Sequence, residues 1–555
     1  MQFQSQRNTR ETNGPQPIRI RTWFPVESHF QSEEEKKKLE AAVEGAVKIV
    51  SSLLSVSRVP GPLLLKRDVN KYCKFLWKNS SSLNYNRCGR ANKTYRNETC
   101  LDVMIPDEHL EGCVIFPELD SAQRSVLRPE GAGLPDTDFL LYLHVRATDK
   151  CRTEPNVLAY AVHCQTDSTG RPLAGVVVIC SQRLAGVAYN HHITVQTIIH
   201  ELFHALGFSK KLFSTWRDCS TSSRPGCSLR AKMIRPDASG QMRIYTQSVT
   251  SALQKHLTTT DPDVGGPLEN KDAGPSGVSS HWEARVMQGS IMASVLDPFT
   301  VRIDPMTLAA LQDTGWYTAD LERAQRLVWG EGQGNKFGLP STCKHNSAFF
   351  CSGSGSGCHY LHLHKGQCQS DPYLDGCHIY KPIQNGSECW MKGNAQQAAQ
   401  DEMFGSNSRC FFSSLNKQDH VTNTSVVGRC YKHRCTALNQ YQIQVHDSEW
   451  VDCPAGGAIQ IKGYQGFVWC PDMRLCVPDI APVPVLSHNT SDHSKSRTLS
   501  VVWLFWTTSA QLTVSVLVIV ASACSLVLAV TISCRCCKVR VHSLMHVQTL
   551  DQTLP

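Results

Sequence analysis

Two histidines four residues apart, His200 and His204 in His200-Glu201-Leu202-Phe203-His204, form an HExxH pattern. On a helix, residues four apart share a face, so both imidazoles can reach one metal ion, as in zinc-dependent peptidases. Glu201 between them projects toward the same cleft, where it can hold a water and take its proton. A bare HExxH fixes only three positions and also occurs in ordinary helices with two surface histidines. The surroundings therefore decide its meaning.

Upstream, Gly175-Val176-Val177-Val178-Ile179-Cys180 is an apolar, β-branched run that reads as a buried strand. Ile198, Leu202 and Leu206, with Ile199 and Phe203, recur at helical spacing and give the motif helix an apolar stripe. Gly207 is expected to end that helix in a left-handed conformation. A catalytic zinc usually takes three protein ligands. The pattern HExxHxxGxxH would place the third at position 210, where this chain has Lys210. Either the site is broken or the third ligand comes from farther along the chain, where the best candidate is His281 in Ser279-Ser280-His281-Trp282-Glu283, with residues 208 to 280 looped out. Met292 in Gly289-Ser290-Ile291-Met292-Ala293-Ser294 suits a tight methionine turn that floors the metal.

HELFHALGF, the long insertion, SSHWEARVMQGSIMAS and Leu311-Gln312-Asp313-Thr314-Gly315-Trp316-Tyr317 together resemble the leishmanolysin family of metzincins. Ala159 to Gln165 and Gly170 to Val176 resemble its animal members, and the similarity runs from about Ile18 to about Cys476. In that family the third histidine follows a large insertion, which answers the objection raised by Lys210. The resemblance implies one Zn²⁺ per chain on His200, His204 and His281, Glu201 as catalytic base, Met292 as a structural residue, and protein or peptide substrates.

The elements that must position these residues are also readable. Ile18 to Phe24 alternates like a strand, and Ser32-Glu33-Glu34-Glu35 has the form of a capping box. An amphipathic helix through Leu39, Val43, Ala46, Val50 and Leu53 follows it. Asp138 to Arg146 and Leu158 to Cys164 are further strand candidates. The expected fold class is α+β: a metzincin-type catalytic domain with a split zinc site, a disulfide-rich C-terminal domain and one C-terminal transmembrane helix. Expected divisions are 1–215 with the zinc helix, 216–340 with the insertion, third ligand and methionine turn, and 341–480 as the Cys-rich domain. A stalk (481–511), a membrane span (512–532) and a cytoplasmic tail (533–555) complete the chain.

The chain has 555 residues and a formal charge of +8, with charges mixed along the sequence, so nothing argues for nucleic acid. Of 25 cysteines, 21 precede the C-terminal apolar segment, a density expected of an oxidising compartment. Nine lie before Cys343 and twelve from Cys343 to Cys476. One of the first group must cross to the second, bond another chain or stay free. Sequons at Asn79, Asn92, Asn97, Asn385, Asn423 and Asn489 point to the same compartment. His359, His362 and His364 beside Cys358 could be read as a second metal site, but accessory packing or substrate docking is the default reading.

No charged residue lies between Thr498 and Ser533, and Leu512 to Ile532 is long and apolar enough to span a bilayer. Arg535, Lys538 and Arg540 mark the cytoplasmic side, and the polar tail beyond them separates this segment from a lipid-anchor signal. Cys534, Cys536 and Cys537 sit where palmitoylation is plausible. At the other end, Met1 to Arg7 lacks the apolar core of a secretory signal. Because that conflicts with the cysteines and sequons, the expectation is an isoform or incomplete product lacking signal peptide and propeptide. The expected protein is a single-pass type I plasma-membrane enzyme with an extracellular catalytic region. An intracellular metallopeptidase rests only on the missing signal. A non-catalytic cell-surface adhesion protein that keeps the fold is the other alternative, and the intact Glu201 argues against it.

Overall fold

The computed structural model describes residues 14–477, except 155–156, 185–188, 220–226, 231, 297–299, 384, 398–400 and 418–424. The expected stalk, membrane span and tail, with Cys534, Cys536 and Cys537, therefore lie outside the described residues, as do Asn423 and Asn489. Among the described residues no helix is long and apolar enough to cross a membrane.

A four-stranded sheet organises the first part of the chain. Strand β1 (Ile20–Trp23), β2 (Phe139–Arg146), β3 (Ala159–Thr166) and β4 (Pro172–Cys180) are arranged in the order β3-β4-β2-β1. β1, β2 and β4 run parallel, whereas β3 is an antiparallel edge strand. The apolar runs of β2 and β4 reflect burial on both faces, as parallel strands require. Phe139, Leu141, Leu143, Val145, Val177 and Ile179 face the main core, while Leu140, Tyr142, Val176 and Val178 face a second cluster built on Leu63, Leu65 and Leu110.

Helices cover the first of these faces. Helix α1 (Glu33–Leu53) is capped by Ser32, whose hydroxyl accepts from the Glu35 N–H, and Glu35 in turn accepts from Gln31 N–H. Leu39, Val43, Ala46, Val50 and Leu53 are buried as their spacing predicts. Helix α2 (His191–Leu206) carries the HExxH motif, packs against α1, and is capped by Asn190. It lies close to β4 because Gly175 has no side chain: a Cβ there would sit 2.9 Å from that of Ala205.

Gly207 ends α2, but not in the expected left-handed conformation. Its φ of 163° is extended. The glycine is needed for space, since a Cβ would approach Thr314 Cγ2 to 3.1 Å. Beyond it, helices α3 (Gln247–Leu257) and α4 (Pro305–Asp313) pack together.

The core continues past residue 340. Trp329, fully buried, meets Phe337, Phe349, Phe350 and Tyr360 edge-on with ring centroids 5.1–5.8 Å apart. The Cys-rich region adds a three-stranded and a six-stranded sheet, the latter around its own core of Phe411, Tyr431, Tyr441 and Ile443. Its twelve cysteines form six disulfides within the region. Four more disulfides close among the earlier cysteines, leaving Cys113 as the free, buried thiol. The odd cysteine thus stays free among the described residues.

Candidate active site

The last two turns of α2 bring His200 and His204 onto one face, and the chain returns after the insertion to set His281 opposite them. His204 Nε2 lies 3.0 Å from His200 Nε2 and 3.1 Å from His281 Nε2. Nitrogens held about 2.0–2.1 Å from one tetrahedral zinc lie roughly 3.3 Å apart, so the spacing is close to that of a metal's ligand set.

The outer nitrogens decide what the inner ones can do. His200 Nδ1 donates to the Ile291 carbonyl at 2.5 Å, His204 Nδ1 to the Phe208 carbonyl at 2.8 Å, and His281 Nδ1 to Asp272 Oδ2 at 2.5 Å. A carbonyl can only accept, and burial of the Asp272 carboxyl is outweighed by hydrogen bonds from His281, Ser279 and Ser294 that hold its pKa low. Each ring therefore carries a proton on Nδ1, and its neutral form presents a lone pair at Nε2. Three lone pairs converging at this range repel unless a cation lies among them. Burial, and then the neighbouring imidazoles, push His200 down to about 3 and His204 well below the usual histidine range, which keeps them neutral. The triad fits a divalent metal ion.

Glu201 is buried beside it. Burial pushes its carboxyl up to about 8, against the Lys150 charge and a backbone hydrogen bond with Ala161 on β3. The edge strand thus borders the site, and no other strand among the described residues pairs with its outer edge. Met292 is fully buried, and its carbonyl accepts from the Trp282 N–H at 2.9 Å, next to His281. Its own N–H donates to Ser290 Oγ. Ser290 and Thr307 hydroxyls both donate to the buried Asp304, the N-cap of α4, and Trp282 Nε1 donates to Thr307. One polar network therefore holds the turn that receives His200 and the segment that carries His281.

All five residues singled out in the sequence come together. Asp272 and the Asp304 network were not among them. Asp304-Pro305, an N-cap followed by proline at the first helical position, was a readable helix start; Asp272 carried no such signal. His359, His362 and His364 lie apart from the triad and are buried in packing: His362 Nδ1 donates to the Cys410 carbonyl, and His364 meets Trp390 edge-on. His433 lies near Cys435 and Cys476, but those two sulfurs are joined in a disulfide and are not ligands.

Comparison with known proteins agrees with this geometry. Residues 128–373 and 369–481 match the leishmanolysin peptidase family. The ciliated left-right organizer metallopeptidase of Danio rerio is 55% identical over 491 residues, covering 86% of this chain and 78% of the relative. The Homo sapiens protein of the same name is 39% identical over 552 residues, covering 83% and 69%. A leishmanolysin-like peptidase of Caenorhabditis elegans is 30% identical over 274 residues, covering 44% and 40%. With the family matched across most of its length and the histidines convergent, the chain belongs to the leishmanolysin family of metallopeptidases.

Proposed function

We propose that this chain is a membrane-anchored zinc metalloendopeptidase that cleaves extracellular or cell-surface proteins. The observation that carries the reading is the convergence of three Nε2 atoms, each ring fixed by an acceptor on its far side. His200, His204 and His281 would hold the zinc, and Met292 would close the floor beneath them. When bound, zinc would supply Lewis acidity toward the scissile carbonyl and toward the attacking water. Glu201 takes the proton from that water and returns it to the leaving amine. A nearby dication favours the carboxylate over the acid, which offsets the effect of burial on Glu201. Strand β3 offers its free edge to an extended peptide, whose backbone would pair with it across the cleft.

The ten disulfides and the sequons at Asn79, Asn97 and Asn385, all exposed, support a secretory route. Residues 512–532 would anchor the protein as a single-pass type I chain. The names of the Danio rerio and Homo sapiens relatives extend the proposal to a peptidase of the ciliated left-right organizer. Purified protein and its Glu201→Ala variant, compared on an unfolded protein substrate with zinc content measured in both, test the reading. The expected result is equal zinc and a kcat lower by about 10²–10⁴ in the variant. Equal rates would sink the catalytic assignment.

A further inference from the structure

The two chain segments that carry the second and third histidines meet again just outside the triad. Lys210 follows His204 by six residues, and its N–H donates to Ser280 Oγ at 3.0 Å, next to His281. Here the surface opens into a cleft of about 580 Å³ whose lining includes Lys210, Lys211, Phe213, Lys232, Met233 and Val278. Its floor is apolar, for Phe213 and Met233 are buried. Its rim is cationic. Lys210, Lys211 and Lys232 are exposed, and no carboxylate among the described residues pairs with them. Arg230 also lines the cleft, but Asp313 and Asp218 lie 3.5 and 3.7 Å from it and cancel its charge. The neighbouring residues 220–226 and 231 include no acid in the sequence.

An extended peptide paired with β3 would run toward this cleft. Ala161 of β3 meets Glu201. His163, two residues along and so on the same face, is lowered in pKa by burial and by the charge of Lys211. Two strand residues span roughly 7 Å, so a peptide laid along this edge would bring a side chain toward Lys211 one or two residues from its scissile bond.

We propose that this cleft is a specificity subsite for an acidic side chain of the peptide substrate, glutamate above all. The inference rests on the peptidase reading. The methylenes of a glutamate would lie on Phe213, Met233 and Val278, and its carboxylate would reach the unpaired ammonium groups. A lysine at the same position would meet like charge.

The test uses the zinc-loaded protein and peptides carrying Glu, Gln or Lys at each position flanking one scissile bond. At one position kcat/KM is expected to fall in the order Glu, Gln, Lys, with Glu over Lys by about tenfold. Lys211→Glu with Lys232→Glu is expected to invert that order. No preference, or one the double variant leaves unchanged, overturns the proposal. Where no peptide is cleaved, binding of the same peptides to Glu201→Ala, followed by fluorescence anisotropy, decides. A Glu-over-Lys ranking in binding keeps the subsite while the peptidase reading falls, and equal binding removes the subsite as well.

Discussion

Asp272 accepts the Nδ1 proton of His281 at 2.5 Å and also accepts from the Ser294 hydroxyl at 3.0 Å. This carboxylate therefore fixes the ring and tautomer of the third histidine and links it to the end of the methionine turn. It touches no metal position itself. Asp272→Ala is expected to weaken zinc binding about 10–100-fold, with Asp272→Asn intermediate because its carbonyl oxygen still accepts. Competition with a chromophoric chelator measures the affinity. An unchanged affinity in the alanine variant would show that the Ser279-to-Trp282 backbone alone orients His281.

Met292 sits at zero exposure where the main core meets the triad. Its thioether makes no hydrogen bond among the described residues, so its contribution is packing. Met292→Ala is expected to cost about 2–5 kcal/mol through the cavity it leaves, and Met292→Leu less than about 1.5 kcal/mol. Chemical denaturation of the zinc-bound protein reads both. A larger loss for leucine than for alanine would point to a role for the sulfur that packing does not supply.

Periodicity made the scaffold legible. Leu39, Val43 and Val50 face inward as their spacing requires, and the unbroken run Val176 to Cys180 is a strand covered on both faces. HExxH, His281 and Met292 could be aligned because each carries a local pattern or a family resemblance. Asp272 could not, for a lone aspartate in a polar loop is indistinguishable from a solvated one until the chain folds back. Gly207 shows a subtler loss: the residue type announces a helix end, but whether backbone freedom or space demands it depends on Thr314, more than a hundred positions away. Burial of His359, His362 and His364 was hidden for the same reason, since polar residues in a Gly/Ser-rich stretch look exposed.

Cys113 is the free thiol among the described residues, and burial pushes its pKa up, making it unreactive in the folded state. An alkylating reagent is therefore expected to leave the Cys113 peptide unlabelled in native protein and to label it after denaturation without reductant. Mass spectrometry of the digest checks this. A peptide labelled only after reduction would mean that Cys113 is bonded to a cysteine outside the described residues or in another chain.

His362 and His364 make the Cys-rich region acid-sensitive. Burial pushes His362 down to about 4 and His364 down to about 3. In the unfolded chain both titrate near 6.5. As pH falls through 6.5 the unfolded state takes up protons that the folded state refuses, so stability is full above that pH. It then declines until the folded imidazoles protonate near 4 and 3. Each histidine adds a slope of about 1.4 kcal/mol per pH unit within its window. His362→Asn removes one such group. Its amide can donate to the Cys410 carbonyl in place of the ring, and asparagine suits the φ of 56° found there. Denaturation curves between pH 7 and 4.5 are expected to show a shallower loss of stability in the variant. Parallel pH dependences would mean that His362 is protonated in the folded protein.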